Sequence, residues 1–195
     1  LLTMNPPDHT RLRGLVQKAF TPRAVAQLRA TIQRLTDELI DHLGEREQVD
    51  IIADLAYPLP VAVICELLGV PLADQERFHA WSAALVRSLD LTDEAAVYER
   101  ASIAAAEMTA YFDGLLAERR AQPRGDILSA LVAAEEAGDR LTTEELFGTC
   151  ALLLVAGHET TVNLIGNGTL ALLRHPDQWQ RLGDEPGLIA SAVEE

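Results

Sequence analysis

Basic charge is scarce in this chain. Lys and Arg together number 16 against 30 Asp and Glu, a net charge of −14 over 195 residues. Such an excess repels phosphate backbones and anionic lipid, which argues against a nucleic-acid or membrane-surface partner. Cysteine is scarcer still: there are two, Cys65 and Cys150, each inside an apolar, helix-like run. Two separated thiols make neither a disulfide framework nor a zinc site, and each reads as a small buried hydrophobe. That usage is consistent with a cytoplasmic setting. No uninterrupted apolar stretch of about 20 residues is present, so no membrane-spanning helix is predicted. The opening Leu1-Leu2-Thr3-Met4-Asn5-Pro6-Pro7 has no basic region and no apolar core of a signal peptide. Internal repeats and low-complexity segments are lacking too. Hydrophobic residues, at 48%, are sufficient for a sizeable core.

What is there is helical in texture, dominated by Ala, Leu, Glu and Arg. A short helix is predicted after Pro6-Pro7-Asp8, through Ala19. Thr21-Pro22 has the form of an N-cap followed by Pro at the first helical position. The next helix carries Val25, Leu28, Ile32, Leu35, Leu39 and Leu43 as an apolar stripe at spacings of three and four, and Gly44 ends it. Val49 to Ala53 reads as a short extended piece, and Pro58 and Pro60 as an interruption before a helix from Val61 to Leu68 closed by Gly69. Pro71 to Leu89 and Asp93 to Ala121 follow as helices, with Asp90-Leu91-Thr92 as a cap region between them. Asp126 caps another helix that runs to about Ala137, and Gly138-Asp139-Arg140 is a turn. Thr142 and Glu145 form a capping box. Beyond it, Leu146 to Arg174 holds no proline, and Cys150 to Val155 is apolar on every side, so this long helix is expected to be buried and central. His175-Pro176-Asp177 ends it. A short helix from Gln178 and another opened by Pro186 complete an all-α chain, read as a single partial domain over residues 1–195, cut at both ends.

Within the long helix stands Ala156-Gly157-His158-Glu159-Thr160-Thr161. Glycine inside a helix costs about 1 kcal/mol. A carboxylate in a core costs several kcal/mol unless it is paired or wet. Two threonines add β-branched strain, and Thr160 can bond back to the carbonyl of Ala156. Four locally unfavourable choices in succession suggest a functional site. The bland alternative is a chance glycine beside a solvated glutamate. A zinc-protease reading fails, because H-E-x-x-H would need His where Val162 stands. His42, His79 and His175 read as surface or capping residues.

That run resembles the oxygen-binding motif of the cytochrome P450 family, A-G-x-[DE]-T-[TS]. Near the start, Asn5-Pro6-Pro7-Asp8-His9-Thr10-Arg11-Leu12-Arg13 resembles the family's D-P-P-x-H-T-R-L-R segment, with Asn5 for the usual Asp, and Phe20-Thr21-Pro22 follows as expected. Ala192-Val193-Glu194-Glu195 resembles the approach to E-x-x-R, with Glu195 as its Glu. The resemblance implies the central helical part of a soluble bacterial-type enzyme, with the family's sheet portions missing and the iron-ligating Cys lying beyond residue 195. The cofactor implied is haem (heme b), the chemistry monooxygenation of a hydrophobic small molecule by dioxygen, and the electron donor a ferredoxin. Glu159 and Thr160 are then the catalytic pair that handles protons. Ala156 and Gly157 leave room beside the haem, and His9 and Arg13, one helical turn apart, bind its propionates. No protein metal ligand falls within the chain. An alternative from another class is a free-standing helical interaction module, for which Gly157 to Thr160 would have no use.

Overall fold

The computed structural model describes residues 4–20, 22–44, 46–90, 94–136 and 142–194. Among these the chain is helical and contains no strand. The succession is α1 (Asp8–Ala19), α2 (Pro22–Leu43), a π-helical turn (Ile52–Ala56), α3 (Pro58–Leu68), a 3-10 turn (Leu72–Asp74), α4 (Gln75–Arg87), α5 (Ala95–Ala121), α6 (Ile127–Glu136), α7 (Thr143–Arg174), α8 (Pro176–Asp184), a second 3-10 turn (Pro186–Leu188) and α9 (Ile189–Glu194). The expected caps at Thr21 and at Leu91-Thr92, the turn at Gly138-Asp139-Arg140, and Glu195 lie outside the described residues. Among the described residues, no helix is long and apolar enough to cross a membrane.

Several boundaries differ from expectation for local reasons. Val49 to Ala53 is not extended. Asp50 turns its carboxylate back onto the N–H groups of Ile52 and Ala53, at 2.9 and 3.0 Å, and starts a helical turn despite the β-branched residues. Pro58 and Pro60 do not interrupt α3 but open it: they occupy its first turn, where no intrahelical N–H is required. Pro71 is extended, and α4 begins only at Gln75, after the 3-10 turn. α5 runs from Ala95 with Glu94 before it, and Asp93, the expected start, lies outside the described residues. The capping box at α7 is present as expected: Thr142 Oγ1 accepts from the Glu145 N–H, and Glu145 Oε2 accepts from the Thr142 N–H.

The core sits where α3, α4, α5, α6 and the first half of α7 meet. Its densest part is aromatic. Phe78 and Trp81 of α4 meet Tyr111 and Phe112 of α5 edge to face, at centroid distances from 5.2 to 5.8 Å, and Arg77 lies over both Trp81 and Tyr111. Both polar tips find partners: Trp81 Nε1 donates to Glu107, and the Tyr111 hydroxyl to Asp74. The stripe on α2 is less buried than its spacing promised, with Leu35 inside but Val25 and Ile32 exposed.

One polar clamp ties three elements together. Arg119, near the end of α5, is fully buried. Its Nε donates to Asp126 Oδ2 at 2.6 Å, and its Nη2 donates to the Gly69 carbonyl at the end of α3. Asp126 Oδ1 in turn caps α6, accepting from the Ser129 N–H and hydroxyl. Gly69 has φ +72°, and a side chain there would collide with the Asp126 carboxylate, so glycine is required twice over. Burial pushes the Asp126 carboxyl up, but the Ser129 hydroxyl, the Ser129 N–H and Arg119 outweigh it and hold it below the usual carboxylate range. Stability from such a group is present above its unfolded-state pKa and is lost as pH falls through the lower folded-state value. Asp126→Ala should therefore cost about 3 kcal/mol in denaturant unfolding at neutral pH, since it removes the buried carboxylate that pairs with Arg119 and leaves only the part-exposed Glu118, 3.2 Å from Nη1, against a buried guanidinium. The variant should also lose less stability than the parent between about pH 4 and the acid transition. An unchanged acid limb would show that Asp126 does not drive it.

Candidate active site on the central helix

α7 is held from one face. Leu146, Cys150, Leu154 and His158 follow one another at every fourth position, and none is more than 2% exposed. The opposite face carries Leu152, Leu153, Ala156 and Thr160 and remains open. After His158 no residue of α7 is buried, so the helix is central along its first half only, and the burial expected all round is confined to one stripe.

Two cavities adjoin the open face. One, of about 450 Å³, is lined by His9, Arg13, Val16, Gln17 and Phe20 of the α1 region and by Leu152 and Leu153 of α7. The other, of about 570 Å³, takes in Phe20, Leu152 and Leu153 again and continues past Ala156, Gly157, Thr161 and Ile165 along α3. Their shared walls make one trough, with two basic side chains at one end and apolar lining elsewhere. His9 and Arg13 lie one turn apart on α1, as their spacing predicted. Among the described residues, neither side chain is committed to a hydrogen bond or an ion pair. Arg11, between them, is spent otherwise: it forms an ion pair with Glu145, with Nη1 at 3.3 Å from Oε2 and a closer contact from Nη2 to Oε1. Glu145 thus closes the α7 cap and pins α1 against it, and Arg11 foremost holds its carboxyl below the usual range. The capping box was legible beforehand, but the pairing with Arg11 was not.

The chemistry-bearing residues sit around one turn. Thr160 is exposed on the open face, and its hydroxyl donates to the Ala156 carbonyl at 3.1 Å, the back-bond that its sequence position predicted. Thr161 does the same to Gly157, more loosely, at 3.4 Å. The Glu159 side chain is 38% exposed, with Oε1 3.8 Å from His158 Nε2. Gly157 lines the larger cavity and also lies against α3. A Cβ there would lie 3.0 Å from Ile64 Cδ1, so its missing side chain first serves the packing of α7 on α3. From the sequence, His158 is weighed only as the start of a zinc motif and is given no structural role. It is buried, bonded through Nδ1 to the Leu154 carbonyl at 2.7 Å and through Nε2 to Ser82 of α4 at 3.1 Å. The signal was available, because position 158 continues the every-fourth stripe from Leu146.

A flat apolar group with an anionic edge suits the trough: apolar walls would receive its faces, and His9 and Arg13 its charge. Haem, with two propionates on an apolar macrocycle, has that form. The two cysteines serve it poorly. Both thiols are fully buried, and burial pushes Cys65 up to about 11 and Cys150 up to about 12, away from the thiolate that binds iron. Among the described residues, no three His, Cys, Asp or Glu side chains converge to hold a metal ion.

Comparison with known proteins agrees with this geometry. A family model described as Cytochrome P450 matches residues 1–188. Cytochrome P450 CYP107DY1 of Priestia megaterium is 47% identical over 196 residues, covering the whole chain and 47% of the relative. The vitamin D(3) 25-hydroxylase of Pseudonocardia autotrophica is also 47% identical, again over the whole chain and 47% of its own length. Among solved structures, the myxobacterial cytochrome P450 CYP267B1 in complex with myristic acid superposes with a TM-score of 0.91 at 49% identity, over 97% of this chain and 46% of that one. CalO2 superposes with a TM-score of 0.94 at 37% identity, over 99% of this chain and 48% of that one. The chain spans about half the length of the curated relatives it matches.

The contact between Gly157 and Ile64 generates a sign test. Gly157→Ala gains up to about 1 kcal/mol of helix propensity. It also overpacks a buried isoleucine, at a cost of about 1–3 kcal/mol. The single variant should therefore be less stable. Ile64→Ala removes both near atoms, Cδ1 at 3.0 Å and Cγ1 at 3.2 Å, leaving only Cβ at 3.7 Å, and in that background Gly157→Ala should stabilise. Equal effects in both backgrounds, measured by denaturant unfolding, would show that Ile64 is not what requires the glycine.

Proposed function

Since the chain belongs to the cytochrome P450 family, we propose that it forms the dioxygen-facing wall of a haem monooxygenase acting on a hydrophobic small molecule. On this reading it is a partial domain, the central helical part of such an enzyme. The observation that carries the reading is the trough along α7. It joins two uncommitted basic side chains, His9 and Arg13, to the turn that bears Glu159 and Thr160. Nothing in the arrangement favours the interaction-module alternative.

His9 and Arg13 hold the two propionates, as charge-assisted donors on one face of α1. Ala156, with only a methyl group, and the open side of the helix leave space for dioxygen. Held in the trough by His9 and Arg13, haem would supply the redox chemistry that puts one oxygen atom into a C–H bond. The chain's own part is protons and position. The Thr160 hydroxyl donates to the Ala156 carbonyl at rest, and rotation about its Cα–Cβ bond turns the same proton toward the trough. Glu159, partly exposed, exchanges protons with solvent and passes them toward Thr160 through water. The electron donor is a ferredoxin-type protein, and the setting is cytoplasmic, with no nucleic acid or membrane involved. The hydrophobic substrate enters against the apolar walls.

Three measurements on the full-length enzyme test this. Thr160→Ala should retain haem yet lose coupling, with several-fold less product per NAD(P)H consumed and more peroxide; unchanged coupling would refute its role. Glu159→Gln should slow turnover by about tenfold to a hundredfold, toward the low end of general acid–base contributions. The Cys65→Ala/Cys150→Ala variant should keep the red-shifted, thiolate-type Soret band after reduction under carbon monoxide. Loss of that band from a folded variant would place the iron ligand inside this chain.

A further inference from the structure

The stripe that seats α7 is apolar at Leu146, Cys150 and Leu154, and such packing is non-directional. Alone it leaves the helix free to roll or slide slightly. One turn further on, the stripe becomes polar. His158 is 2% exposed and Ser82 fully buried, and their side chains meet at 3.1 Å. The Leu154 carbonyl can only accept, so His158 Nδ1 carries the hydrogen of their 2.7 Å bond. Nε2 meets the Ser82 hydroxyl, which can serve it as donor or acceptor, and both ring nitrogens are committed. Tyr57 closes the ring's flank edge-on at 6.1 Å. With Gly157 against Ile64, the turn is fixed on the sides that face α3 and α4. Thr160 lies two residues on, about 200° around the helix, facing the open side.

We propose that His158 is a positioning residue for this site: through its bond to Ser82 it locks the roll of α7 against α4, and so sets where the Thr160 hydroxyl and the Glu159 carboxylate stand relative to the trough. It touches neither dioxygen nor substrate. Its effect runs through the helix, because any rotation at position 158 turns position 160 by the same angle. Glu159 is placed in the same way, its carboxylate resting 3.8 Å from the ring, too far for a hydrogen bond.

The inference rests on the site reading above, and the test separates the two. In the full-length haem enzyme, Ser82→Ala removes one hydroxyl and nothing apolar. The first readout is the infrared C–O stretch of the ferrous carbon monoxide complex, which reports the polar groups beside the ligand. Expected is a broadened or split band at an unchanged Soret position. Amide exchange at Ala156–Thr161 should also run about tenfold faster, as loss of one buried hydrogen bond allows. His158→Gln, which can still accept from Ser82, should restore a single band, whereas His158→Phe should not. A band unchanged in Ser82→Ala overturns the proposal whatever the exchange shows, because the bond would then be structural only. If the unsubstituted enzyme forms no carbon monoxide complex, the site reading has failed. Exchange then decides: acceleration at Ala156–Thr161 in Ser82→Ala sustains the lock, and its absence overturns it.

Discussion

Leu146, Cys150, Leu154 and His158 lie along one line of α7, and the rest of the arrangement depends on that line being pressed into α3, α4 and α5. A helix gripped on one face presents the opposite face as a surface of known direction. That is why the trough has a floor and why Ala156 stands on it, with Thr160 exposed one turn further along the same helix. The aromatic packing of α4 on α5 supplies the rigid body that does the gripping. The Arg119–Asp126–Gly69 clamp closes the loop that returns the chain from α5 to α6 and on toward α7. Hydrophobic burial gives the bulk of the attraction, while the few buried polar contacts decide angle and register.

The two ends of the trough are set by different physics. At one end, α1 is placed by a charge, Arg11, reaching a carboxylate that already caps α7. At the other, α7 is placed by the absence of a side chain at Gly157 and by the buried pair His158–Ser82. Placement by charge tolerates small movements; placement by van der Waals contact does not. The basic end can thus adapt to what it binds, while the turn bearing Glu159 and Thr160 is held to a narrower range.

Much of this was legible in the amino-acid order, and unevenly so. Helix α7 and its capping box, the closure of α3 by Gly69 and the back-bond of Thr160 each follow from local spacing, and each is present. Local pattern also misled. β-branched residues around Val49 and Ile52 pointed to an extended piece, and the carboxylate of Asp50 overrode them. Pro58 and Pro60 were read as breaks, although the first turn of a helix is where proline costs least. What stayed hidden was of long range. Nothing near Gly157 names Ile64 as its neighbour, nothing near His158 names Ser82, and nothing near Arg119 says that its guanidinium will be buried. The positions of Glu159 and Thr160 were readable, but the contacts that aim them come from helices nearly a hundred residues away.

The burial of both thiols has a further consequence. On the proposed reading, chemistry that activates oxygen sheds reduced oxygen species whenever a cycle miscarries, and the protein nearest the source would meet them first. Sulfur oxidises fastest as an accessible thiolate. Cys65 and Cys150 offer neither access nor anion, since both are fully buried and held in the protonated form well above neutral pH. The packing that seats α7 therefore also keeps both thiols out of reach, and they are protected against wear by the same contacts that give the scaffold its shape.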